Sequence, residues 1–128
     1  MLTENDGFVL SEAYLDILHK GLDMAFLCNP NNPTGMLIPH RLLKKILEKC
    51  KKLDILLVVD ECFLDFVKDP EEYSLKRSLS GFNNLFILKA FTKRYAMAGV
   101  RLGYGLCSDR KLMERMELCV RAMECFHH

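Results

Sequence analysis

Two hydrophobic periods run through this chain, and they separate its helices from its strands. Between residues 40 and 53, apolar side chains fall at Leu42, Leu43, Ile46, Leu47, Cys50 and Leu53, three or four apart. Lys44, Lys45, Glu48, Lys49, Lys51 and Lys52 occupy the other face, so the spacing predicts an amphipathic helix with a solvated basic side. Pro39 suits its first turn. A second helix is expected over 11–22, with Ser11 as N-cap, Tyr14, Leu15, Ile17 and Leu18 at helical spacing, and Gly21 as its stop. Three runs are instead continuously apolar: "MAFLC" at 24–28, "ILLVV" at 55–59 and "LFILKAF" at 85–91. Runs of this length bounded by turn residues read as buried strands. "RLGYGLC" at 101–107 reads as a fourth strand. A short helix is expected over 74–80, closed by Gly81. A last helix is expected after Ser108 and Asp109, with Leu112, Met113, Met116 and Cys119 or Val120 on one face.

Alternation of helices and strands predicts an α/β fold. Strands apolar on both faces imply a mostly parallel sheet with helices on both sides. The third and fourth strands are joined by too few residues for a parallel crossover, which takes about a dozen or more. The fourth strand is therefore expected to run antiparallel. No repeat, low-complexity tract or linker divides the 128 residues, so one domain is expected.

Composition narrows the function classes. Half the residues are apolar and the net charge is +1, which gives no electrostatic case for nucleic acid or an anionic membrane. No run approaches the ~18 apolar residues of a membrane span. No charged stretch followed by an apolar core opens the chain, so no secretory leader is expected and a cytoplasmic location is. Cys28, Cys50, Cys62, Cys107, Cys119 and Cys125 are irregularly spaced without a CxxC, which fits free thiols in a reducing compartment rather than disulfides or a metal site.

The chemically loaded segments fall at strand ends. "CNPNNPTG" ends the first strand, Asp60 ends the second, and "AFTKRYAMAGVRLGYG" leaves the third. In open parallel sheets ligands gather at such carboxyl ends. Each segment also has a plain structural account. Asn, Pro and Gly make turns, an aspartate caps the turn after a strand, and a lysine in a glycine-rich loop can be a surface residue.

In this order, "NPNNPTG", "VVDECF" and "FTK" with "GVRLGYG" resemble the large domain of class I/II aminotransferases, fold-type I enzymes that use pyridoxal 5′-phosphate (PLP). The resemblance covers about residues 7–119. It implies that Lys93 is the Schiff-base lysine and proton shuttle. It implies that Asp60 pairs with the pyridine nitrogen, that the Asn32 amide reaches the phenolic oxygen, and that Arg101 grips the phosphate with Thr92 beside it. Gly99, Gly103 and Gly105 would permit close backbone approach, while Asn29 and Asn31 are read as turn residues. Two positions depart from the pattern. Phe63 stands where members usually carry a tyrosine, and Ala90 where many carry a serine or threonine. The motifs look closest to the histidinol-phosphate aminotransferase branch, and within it to the threonine-phosphate decarboxylases of cobalamin synthesis.

The resemblance also implies a small-molecule amino-acid or amino-phosphate substrate and an intact enzyme that is a homodimer. The chain is expected to be a central piece of a longer large domain, inactive alone, with 120–128 atypical. "MECFHH" can be encoded by bases that, read from the second position, give Trp-Ser-Val-Ser-Thr, the kind of continuation the family shows. An out-of-frame tail is thus expected over a metal site at Cys119, Cys125, His127 and His128. The alternative to an enzyme is a non-catalytic binding module that keeps the fold.

Overall fold

The computed structural model describes residues 9–91 and 102–124. Its centre is a four-stranded sheet. The strands are β1 (Met24–Cys28), β2 (Leu56–Asp60), β3 (Leu85–Ala90) and β4 (Gly103–Cys107), in that spatial order. β1 with β2 and β2 with β3 pair in parallel, and β3 with β4 pairs antiparallel. The α/β class and the single antiparallel strand are as the sequence predicts. The ladder aligns Cys28 with Asp60, Asp60 with Leu88 and Leu88 with Gly105.

Helix α1 spans Tyr14–Ile17, α2 His40–Leu53 and α3 Arg110–Glu124. α2 presses Leu42, Leu43, Ile46, Leu47 and Cys50 onto one sheet face, where Ala25, Leu27, Leu57, Val59, Leu85 and Ile87 meet them. Burial pushes the Cys50 thiol up to about 11, which keeps it an inert core group. α2 begins one residue after Pro39, whose carbonyl accepts the Leu42 and Leu43 N–H groups. It ends at Asp54, held at φ 60° in the left-handed region, whose N–H closes on the Cys50 and Lys51 carbonyls. On the opposite sheet face Val58 and Phe86 are buried, while Met24 and Phe26 are exposed.

Local readings differ from the structure in three places. The helix expected over 11–22 is reduced to Tyr14–Ile17 and has no side-chain cap at Ser11. Leu18 turns to an extended conformation, which carries its side chain into the core. The stretch expected as a helix at 74–80 is a 3-10 helix, Lys76–Gly81. α3 is capped as expected, with Asp109 Oδ1 accepting the Lys111 and Leu112 N–H groups at 2.9 and 3.2 Å. Its apolar stripe is not a buried face, however, because Met113, Met116 and Leu118 are exposed.

One glycine is required by packing. The Phe86 ring lies across Gly105 on the neighbouring strand, so a Cβ there would overlap ring atom Cζ and stand 2.7 Å from Cε1. Phe86 is itself buried, so the ring has little room to move. Gly105→Val is expected to lower stability by about 1–3 kcal/mol through overpacking. Urea denaturation checks this, and pairing it with Phe86→Ala should relieve the strain.

Candidate cofactor site

Three chain segments reach one edge of the sheet. β1 runs into the 29–35 turn, β2 ends at Asp60, and β3 ends at Ala90, beyond the Asp60–Leu88 pair. Phe91 and Leu102 are joined by an N–H to carbonyl bond of 3.1 Å, and the Phe91 and Tyr104 rings meet at a tilt of 45° with centroids 4.8 Å apart. Phe91 and Leu102 thus lie side by side at this edge. Thr92, Lys93, Gly99 and Arg101 fall between them in sequence and lie outside the described residues.

Asp60 is half-buried. Its Oδ1 accepts the Cys62 N–H at 2.9 Å, so the turn-capping role foreseen for this residue type is present. Asp60 also lines a cavity of about 570 Å³ with Cys28, Asn31, Phe26, Met36 and Leu88. The walls are chiefly apolar, and Asp60 is the one charged group among these lining residues. Half-buried Tyr14 stands at the same cavity, and burial raises its phenol above the ordinary range.

Asn32 is exposed and faces a different space. It lines a neighbouring groove of about 510 Å³ with Phe63, Phe66 and Val67. Asn32 and Asp60 therefore flank the same turn but do not line one cavity. Phe63, the departure from the expected tyrosine, stands in the Asn32 groove. The turn is internally tied. Asn31 donates from Nδ2 to Thr34 Oγ1 at 2.8 Å, its N–H reaches Met36 O at 2.8 Å, and Gly35 takes φ +71°. Both Asn29–Pro30 and Asn32–Pro33 peptides are cis.

Sequence reasoning missed three residues beside this edge. Asn29, read as a turn residue, is fully buried. Its Oδ1 accepts the Ile38 N–H at 2.9 Å and its Nδ2 donates to Tyr73 O at 3.1 Å. Glu61 is also fully buried. Its carboxylate accepts Ser74 Oγ–H at 2.8 Å and the Leu75 N–H at 3.0 Å, and it pairs with Lys89 Nζ at 3.2 Å. Lys89 reaches Asp65 as well, at 3.5 Å. A lysine inside the apolar run "LFILKAF" was the available signal, since a charge in a buried strand needs a partner. Among the described residues no group of three or more His, Cys, Asp or Glu could hold a metal ion. No helix among them is long and apolar enough to cross a membrane.

The family description "aminotransferase class I and II" matches residues 2–125. The chain belongs to this family. Class I and II aminotransferases are enzymes dependent on PLP. The chain is 44% identical over 115 residues to the threonine-phosphate decarboxylase of Salmonella typhimurium (strain LT2), covering 90% of this chain and 31% of that protein. The crystal structure of the histidinol-phosphate aminotransferase from Clostridium acetobutylicum matches with TM-score 0.71 at 29% identity, over 83% of this chain and 30% of that one. A PLP-bound protein of aminotransferase type from Clostridium difficile 630 shares the fold, with TM-score 0.76 at 22% identity, over 97% of this chain and 33% of that one. This aminotransferase-family chain therefore spans about a third of the length of the proteins it matches.

Proposed function

We propose that this chain forms the central part of the large, cofactor-binding domain of a PLP enzyme. Its substrate would be an amino acid or amino-phosphate, handled as threonine-phosphate decarboxylases or histidinol-phosphate aminotransferases handle theirs. The observation that carries the reading is the Asp60 carboxylate at the end of a central strand, the one charged group on a chiefly apolar cavity, beside the "NPNNPTG" turn. A flat heteroaromatic ring with a protonatable nitrogen suits that donor set: apolar walls for the ring and one carboxylate for the nitrogen. When bound, PLP supplies an electron sink for charge developing at the substrate α-carbon.

The chain's own residues take these parts. Asp60 holds the proton on the ring nitrogen, while its Oδ1 stays fixed by the Cys62 N–H. Asn32, which lines the neighbouring groove, would offer its amide to the phenolic oxygen with its side chain turned toward the Asp60 cavity. Lys93 is the point of covalent attachment and carries a proton to and from the α-carbon. Arg101 and Thr92 bind the phosphate. Phe63 brings no hydroxyl to the Asn32 groove, so Asn32 would serve the phenolic oxygen without a tyrosine at that position.

The test is optical. The intact enzyme is expected to absorb in the visible range with PLP bound, and Lys93→Ala is expected to abolish that band and turnover together. A wild-type protein that takes up no PLP would overturn the reading. Carbon dioxide release from phosphothreonine would assign the decarboxylase side, and transfer of the amino group of histidinol phosphate to a 2-oxo acid would assign the aminotransferase side. We also propose that the intact enzyme is a cytoplasmic homodimer and that these 128 residues alone are inactive. The exposed Met24, Phe26, Met113, Met116 and Leu118 support the second point, because such groups ordinarily pack against further chain. Turnover of any amino acid by the purified 128-residue chain would refute it.

A further inference from the structure

We infer that Asn29 is a positioning residue, on which both cofactor-facing elements of the proposed site depend. This rests on the PLP reading for its consequence, but the contacts stand independently. Asn29 follows β1 directly and precedes Asn32 by three residues. It is fully buried and its polar side-chain atoms are both used. Oδ1 accepts from Ile38 N–H, where the chain comes back from the "NPNNPTG" turn. Nδ2 donates to Tyr73 O, in the strap of residues 61–84 that joins β2 to β3. Its backbone N–H donates to Asp60 O at 2.9 Å.

One residue therefore joins three elements that are distant in sequence: the turn that bears Asn32, the end of β2 that bears Asp60, and the strap. Glu61 seats the next two strap residues, Ser74 and Leu75, so Tyr73 O is presented to Asn29 from an anchored segment. An apolar residue at 29 would leave the Ile38 N–H and the Tyr73 carbonyl without these partners inside the protein. Buried groups left that way draw the backbone toward water. The return of the turn at Ile38 and the strap at Tyr73 would then loosen around the site, although neither Asn32 nor Asp60 had been changed and the backbone bond from residue 29 to Asp60 O remained.

The experiment compares wild type, Asn29→Ala and a core control, Leu47→Ala, in the intact enzyme. Leu47 is a buried residue of α2 and belongs to neither the turn nor the strap. Amide hydrogen exchange of the cofactor-free protein is read first. Asn29→Ala is expected to speed exchange around residues 36–38 and 70–75 together by about tenfold or more, with α2 unchanged. Leu47→Ala is expected to speed α2 instead. PLP affinity is read second, by absorbance titration. Asn29→Ala is expected to weaken it on the order of 10–100-fold, as for partners that orient a binding group, while Leu47→Ala stays near wild type.

Unchanged exchange at both segments, or PLP affinity lost equally in the control, would overturn the inference. A wild type that binds no PLP defeats the functional reading; the exchange result then decides the Asn29 linkage alone. If alanine prevents folding, Asn29→Ser is read in the same way.

Discussion

Replacing Glu61 by alanine is expected to lower the stability of the protein by about 3–5 kcal/mol, the range for breaking a buried ion pair from one side. The carboxylate is fully buried and engages three groups: Ser74 Oγ, Leu75 N and Lys89 Nζ. Its removal leaves Lys89, only 9% exposed, with the more distant Asp65. It also leaves the Leu75 N–H without its acceptor. Lys89→Met should cost less, because the Glu61 oxygens keep their Ser74 and Leu75 donors. The double variant Glu61→Leu with Lys89→Met should recover much of the loss, since an apolar pair of similar volume has no charge to desolvate. Denaturant midpoints of the three variants measure this. A Glu61→Ala midpoint equal to wild type would show that the buried pair contributes nothing.

Asp60→Asn is expected to leave the fold intact and to reduce turnover of the intact enzyme on the order of 10²–10³-fold, as when one preorganised electrostatic partner is removed from a reacting centre. Asparagine keeps an oxygen to accept the Cys62 N–H, so the turn after β2 should hold. What it lacks is the negative charge. On the proposed reading the Asp60 charge keeps the ring nitrogen protonated, and a neutral amide cannot do so. Thermal stability near wild type together with a collapsed kcat is the expected pair of results. An unchanged kcat would mean that Asp60 is only the cap of its turn.

The polar and charged residues at and beside the site divide by what their chain neighbours reveal. Lys89 sits in an apolar run and so announces a buried partner, but nothing local says that the partner is Glu61, 28 positions earlier. Asn29 carries no signal, since an asparagine before a proline serves equally in an exposed turn. Its contacts with Ile38 and Tyr73 arise only once the strands are registered. Asn32 and Asp60, named together from motif order, flank one turn but line different spaces.

The sequence alone carried enough to read the three parallel strands, α2 and the antiparallel β4. Those depend on local period and on loop length, which are written in consecutive residues. It also determined the family, through motifs whose order along the chain is the information. Long-range packing set the rest: the 11–22 helix shrinks to Tyr14–Ile17, the α3 stripe stays exposed, and Gly105 makes room for Phe86. It alone decided that Asn29 and Glu61 bind the strap to the strand ends. The physical reason is common to all of these. Burial and hydrogen-bond satisfaction are set by atoms from segments far apart in the chain, and no window of neighbouring residues contains both partners.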